Sequence, residues 1–151
     1  MCRKIGGGAV MNAYAKSADV YLTQRVLSAG PEQQAALIME AGQRHLGKAI
    51  QALARNDRSA MASSLARTLD AITEATLRLN YEDGGELVQN LEKLYDGWTR
   101  LLVAASHNRD SAPLEAVVQQ MGDIRLAWEQ LHEKQAGAAQ VTDTPFGTGV
   151  A

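Results

Sequence analysis

The sequence predicts an all-α protein, an antiparallel up-down four-helix bundle with flexible ends. Three observations point there. Apolar residues recur at steps of three and four in four successive stretches between about residues 30 and 134, the breaks between stretches are only a few residues long, and no strand is expected anywhere. Long helices joined by such short breaks are forced to lie antiparallel to their neighbours. A chain of 151 residues that is 46% hydrophobic and 21% charged is the size of one domain with one core, outside the disordered class.

The first helix opens at Gly30-Pro31-Glu32, where proline suits the first turn and the acid faces the positive end of the helix dipole, and it runs to about Arg55. Ile38, Gly42, His45, Ala49 and Leu53 share one face, which Met39, Leu46 and Ile50 broaden. ARNDRS supplies the turn. The second helix places Leu65, Leu69, Ile72, Thr76 and Leu79 in one stripe and ends near Asn80. Asp83, three residues before Glu86, reads as a capping box ahead of a third helix whose stripe is Leu87, Leu91, Leu94, Trp98, Leu101 and Ala105. Gly84 and Gly85 then make the corner. A phosphate loop would need a preceding strand and a Gly-Lys-Ser/Thr ending, and a dinucleotide turn would need GxGxxG after a strand; neither is present. The fourth helix takes Ser111 as cap and Pro113 in its first turn, sets Leu114, Val117, Met121, Ile124, Trp128 and Leu131 in register, and ends near Lys134.

Charge and cysteine usage exclude several functions. The formal net charge is -2 with no clustering of lysine or arginine, so no nucleic-acid footprint is drawn. The single cysteine, Cys2, builds neither a disulfide framework nor a thiolate metal site, and a reducing cytoplasm fits it best. GGGAVMNAYAK after Arg3-Lys4 lacks a signal peptide's apolar run, and no later stretch is long enough to span a membrane. Residues 1–17 read as a flexible N-terminal extension, 18–134 as the bundle domain, and 135–151 as a disordered tail of small and weakly apolar residues.

Catalytic and metal chemistry find little support. Glu129-x-x-His132 is the unit that di-iron bundles use twice, but it occurs once here, and the inner stripes hold no acids. His132-Glu133 begins a zincin pattern, yet Ala136 stands where the second histidine belongs. No nucleophile sits in a catalytic context. The expectation is therefore a non-enzyme without cofactor or metal. Asn90 falls on the expected inward stripe, where its amide would tie the helix to nearby backbone or grip a bound peptide.

Surplus apolar residues carry the functional reading. Val88, Tyr95 and Leu102 repeat at heptad spacing beside the third helix's stripe, and Val118 and Leu126 lie off the fourth helix's main face. At ~25 cal/mol per Å² of apolar surface, leaving several such side chains in water forgoes several kcal/mol, so something should cover them: a wide core, a second copy, or another protein's amphipathic helix. Gly42, Gly47, Gly97 and Gly122, each costing up to ~1 kcal/mol in a helix interior, point to close helix approach or to a bundle that a partner stabilises.

GGEL-x-x-NL-x-x-LYD, here Gly84 to Leu87, Asn90-Leu91 and Leu94-Tyr95-Asp96, resembles the signature of FliS, the flagellin-specific export chaperone family. Leu65, Leu69-Asp70, Ile72 and Leu79 match before it, and Ala105, Asn108 and Arg125-x-x-Trp128 after it. Tyr21 and Val26-x-Ser28-Ala29-Gly30-Pro31-Glu32 resemble the family's lead into the first helix, so the likeness covers roughly residues 18 to 131. It departs at Ile38-Met39-Glu40-Ala41, where the family usually reads LYDG, and at Gly97. Met11-Asn12-Ala13 resembles a family start, making residues 1–10 an expected upstream extension.

The resemblance implies a cytoplasmic chaperone that binds the C-terminal segment of flagellin, prevents its premature polymerisation and passes it to the flagellar export apparatus, with no cofactor. On that reading Val88, Leu91, Tyr95, Leu102, Val118 and Leu126 line the flagellin groove, Asn90, Gly84 and Gly85 support it, and Tyr21 and Val26 belong to an N-terminal segment that caps the site when empty. The rival readings are a chaperone or adaptor for another flagellar or secreted protein, a self-associating bundle, and a di-iron bundle enzyme.

Overall fold

The computed structural model describes residues 30–82 and 84–143, and among them the secondary structure is four helices: α1 (Pro31–Ala54), α2 (Arg58–Leu77), α3 (Gly85–Asn108) and α4 (Ser111–Asp143). Helix contacts run α1 to α2, α2 to α3, α3 to α4 and α4 back to α1, with none across the diagonals. That is a four-helix bundle, as the spacing predicts.

The ends follow local chemistry. Pro31 stands in the first turn of α1, and Gln34 donates its amide to the Gly30 carbonyl at 2.8 Å. Asp57 caps α2, its carboxylate accepting from the Ala60 amide at 3.0 Å. Two ends differ from expectation. Asp110, not Ser111, caps α4, accepting from the Ala112 amide at 3.1 Å, so Ser111 is already helical. The same helix continues past Lys134 to Asp143, because the alanine- and glutamine-rich stretch holds a single glycine, Gly137, and no proline before Pro145. α2 stops at Leu77, leaving Leu79 in the connection to α3.

The two glycines form the corner by different means. Gly85 holds φ +53, a left-handed angle open to glycine, while a Cβ on Gly84 would overlap Val88 and stand 2.6 Å from the Asn80 carbonyl oxygen. Gly84 occupies the N-cap position with no side-chain cap; Asp83, expected to form the capping box, lies outside the described residues, as do Tyr21 and Val26.

Small residues on α1 decide how the helices are spaced. Ala36, Ala41, Gly42, Ala49 and Ala52 are buried, and a Cβ on Gly42 would come within 3.2 Å of the Met121 sulfur. α1 therefore packs its backbone close to α2 and α4. α3 instead faces inward with Tyr95 and Trp98, each 1% exposed, and these rings hold it further from both neighbours. Gln43 locks α1 to α4: its amide donates to the Val118 carbonyl at 3.2 Å, and its oxygen accepts from Arg125. A Cβ on Gly122 would stand 2.8 Å from that amide nitrogen, which gives this glycine a packing reason.

Candidate functional site

The site is best built outward from α3. Val88, Leu91, Tyr95, Trp98, Leu102 and Ala105 point into the bundle, all at 8% exposure or less. This corrects the expected stripe by about one residue. Leu91, Trp98 and Ala105 are common to both, but Leu87 and Leu101 are 62% and 44% exposed, and Leu94 is half-buried. Two apolar rows one residue apart are both compatible with a helix; the row carrying tyrosine beside tryptophan buries more area and wins the interior. Val88, Leu91, Tyr95 and Leu102 are thus core residues and not surplus. Asn90 moves the other way: expected inward, it is exposed, so no buried amide ties α3 to backbone there.

Tyr95 and Trp98 form an aromatic pair with ring centroids 5.2 Å apart and planes tilted by 37°. Trp98 donates its indole N–H to the Gln120 side-chain oxygen at 2.7 Å, and Trp128 donates to the Tyr95 hydroxyl. Burial pushes the Tyr95 phenol above its ordinary range, the hydrogen bond from Trp128 offsetting part of the rise. Among the described residues no buried side-chain nitrogen or oxygen lacks a partner. The interior is a satisfied core, so function must be sought on its flanks.

A trench borders α3 on one side and a row of exposed leucines on the other. Toward α2 lies an open trench of about 550 Å³ with Ile72 and Tyr95 among its lining and the 72%-exposed Leu77 also bordering it. Thr73, Thr76 and Thr99 turn their hydroxyls back to the carbonyls of Leu69, Ile72 and Tyr95 at 2.9, 2.9 and 3.2 Å. Their hydroxyls satisfied, the three threonines leave the trench mostly methyl-lined. Its rim is charged, with Glu92, Lys93 and Asp96.

Toward α4 lies the leucine row. The Trp98–Gln120 bond fixes the antiparallel register, so that four residues further along each helix Leu94 is level with Ile124. One heptad beyond, Leu87 is level with Leu131, which is 39% exposed. Leu94, Ile124 and Trp128 pack half-buried against the core, and the leucines beside them are left in water. Covering the exposed parts of Leu87, Leu101 and Leu131 would recover about 1 kcal/mol each.

The remaining expected groove residues are not gathered with these. Val118 packs half-buried on the α1 side of α4, where its carbonyl meets Gln43, and Leu126 is 53% exposed. Glu129 is held by Arg125 at 2.8 Å, a bond that also raises the guanidinium's affinity for its proton. His132 lines a small cleft with Arg125 and Glu129 between α1 and α4, and among the described residues no group of three or more His, Cys, Asp or Glu gathers at metal-binding distance.

A helical bundle with an open trench and exposed leucines fits many proteins, and comparison with known ones narrows the choice. The model of the family described as flagellar protein FliS matches residues 11–135. The chain belongs to the FliS family. Relatives include the flagellar secretion chaperone FliS of Salmonella typhimurium, 30% identical over 118 residues that cover 78% of this chain and 87% of that one. The flagellar secretion chaperone FliS of Vibrio cholerae serotype O1 is 26% identical over 80% of this chain and 87% of its own length. The flagellar secretion chaperone FliSB of Pseudomonas aeruginosa is 26% identical over 79% and 94%. These relatives are named as chaperones, not enzymes, and no helix among the described residues of this FliS-family chain is long and apolar enough to cross a membrane.

Sequence reasoning missed the outward position of Leu87 and Leu101, the trench beside α2 and the end of α4. The signal for the first was present: Trp98 is common to both stripes, but only the Val88 row adds Tyr95, the larger side chain, where the expected stripe has Leu94.

Proposed function

We propose that this chain is a cytoplasmic export chaperone that binds the C-terminal segment of flagellin, keeps it from polymerising prematurely and hands it to the flagellar export apparatus. Family membership and the relatives' names support the chaperone role. The structural observation that carries the reading is α3, set apart from its neighbours by Tyr95 and Trp98 and bordered by an open trench toward α2 and by exposed leucines toward α4. An amphipathic segment laid along α3 buries its apolar face on Leu87, Leu94, Leu101 and Leu131 on one side and on Leu77 and the threonine methyls on the other. The action is burial alone. No bond is made or broken, so neither cofactor nor catalytic group has a part in it.

On this reading Val118 and Leu126 form a secondary contact on α4, and Val88, Leu91 and Leu102 act from within by holding α3 in place. Tyr95 serves the trench as part of its lining. A pull-down from the native cytoplasm tests the proposal: flagellin is recovered with the chain, and deletion of flagellin's C-terminal segment abolishes recovery. Flagellin absent from the eluate, or retained after the deletion, overturns it.

A further inference from the structure

We infer that the apolar surface around the α2–α3 corner takes a basic amphipathic segment, with Glu82, Glu86 and Glu92 selecting that segment by charge. This deepens the function proposed above by naming the charge class of what is covered. Only the identity of the protein that carries the segment rests on that reading.

The charges divide along the bundle axis. A Cβ on Gly42 would meet Met121 and Ala71, and Trp98 bonds to Gln120, so these residues mark the middle of the bundle. In the half that holds the α2–α3 turn, residues 31–42, 71–82, 84–97 and 121–137 carry ten acids and four lysines or arginines. In the other half, residues 43–70 and 98–120 carry four acids and seven lysines or arginines. A chain with a formal net charge of only -2 is therefore acidic at one end and basic at the other.

The exposed apolar surface lies at the acidic end. Leu77, Leu87, Tyr81 and Leu126 are the most exposed large apolar side chains among the described residues, and all four fall there. Leu77 closes α2, Tyr81 sits in the turn and Leu87 in the first turn of α3, with Glu74, Glu82 and Glu86 interleaved among them. The turn is braced by Asn80, whose side-chain oxygen accepts from the Glu82 amide at 3.2 Å and whose carbonyl accepts from the Gly84 amide at 2.9 Å. Glu92 continues the acidic edge along the trench.

The cations in this half do not neutralise the corner. Arg78 pairs with Glu74 at 3.6 Å and Arg125 with Glu129 at 2.8 Å, while Glu82, Glu86 and Glu92 make no ion pair among the described residues. A segment bringing acids to this face would set like charges side by side; one bringing lysine or arginine beside its apolar row meets carboxylates. The chain's own sequence follows the same match, since residues 1–29 carry four lysines or arginines and one acid and join the fold at this end.

Two synthetic helices of about 18 residues test the inference on the full chain. Both repeat leucine at steps of three and four; the polar face of one is lysine and glutamine, that of the other glutamate and glutamine. Titrated into the nitrogen-15-labelled chain, the lysine helix should bind at least tenfold more tightly, shift amides of the acidic half, and weaken as salt rises from about 0.05 to about 0.5 M. Glu82→Lys and Glu92→Lys should each weaken it at least threefold. Glu115→Lys makes the same charge change in the basic half and should leave it within twofold; all three side chains are exposed, so the fold is kept. Equal affinity for the two helices, shifts centred on the basic half, or a loss at Glu115 as large as at the corner overturns the inference. So does failure of both helices to bind, the result if residues 1–29 keep the face for themselves. A flagellin C-terminal fragment separates the two readings: no binding of the fragment beside a selective lysine helix refutes the flagellin reading alone, and fragment binding beside helices that are not discriminated refutes the charge selection alone.

Discussion

Tyr95→Ala separates a core role from a partner-facing one. The side chain is 1% exposed, stacks 5.2 Å from Trp98 and accepts a hydrogen bond from Trp128. A buried tyrosine removes roughly 150–200 Å² of surface from water, worth about 4–5 kcal/mol at ~25 cal/mol per Å². Alanine keeps a small part of that but leaves a cavity, and truncating buried aromatics costs about 3–5 kcal/mol. Orphaning the Trp128 N–H adds about 1–2 kcal/mol. A loss of about 5 kcal/mol is a large share of the ~5–15 kcal/mol that holds a domain of this size together. In urea denaturation with an m-value of about 2 kcal/mol per M, the midpoint should fall by about 2 M or more, or the variant should not fold at all. If Tyr95→Ala unfolds within about 1 kcal/mol of wild type and loses its client, Tyr95 is an anchor for the partner and the assignment of α3's inner face is wrong.

Three further outcomes follow from the same geometry. The folded chain holds the Tyr95 proton more tightly than the unfolded chain does, so this stabilisation is whole below the ordinary phenol range and is lost as pH rises from about 10 through the elevated value; Tyr95→Phe should flatten that alkaline decline in urea midpoints. Gly97→Ala, whose new methyl meets nothing within 4 Å among the described residues, should stabilise by about 0.5–1 kcal/mol. Gly84→Ala should instead cost about 1–3 kcal/mol, since its methyl would press on the Asn80 carbonyl and on Val88; both show in thermal midpoints.

The helices were legible because their punctuation is chemical and local: Pro31 opens α1, the ARNDRS turn separates α1 from α2, and the glycine pair turns the chain into α3. Periodicity also found the two apolar rows of α3, but it could not rank them, because a helix rotated by one residue satisfies the same spacing. Ranking needed volume. Tyr95, beside a Trp98 that both rows share, is too large to leave outside, and burying it turned Leu87, Leu101 and Asn90 to the surface. The trench beside α2 was invisible for a related reason: it exists because those rings hold α3 off from its neighbour, a tertiary consequence that no single helix records. The reach of α4 to Asp143 rests on weak preferences of alanine and glutamine that read equally well as a tail.

The most direct measurement of the central claim is titration calorimetry of the chain with a flagellin C-terminal fragment. Binding with a negative heat-capacity change is expected, the mark of apolar burial, and Leu87→Lys with Leu101→Lys should weaken it at least tenfold while shifting stability by less than about 1 kcal/mol. An intact chain that gives no binding heat across temperatures, or a double variant that binds as tightly as wild type, contradicts the claim.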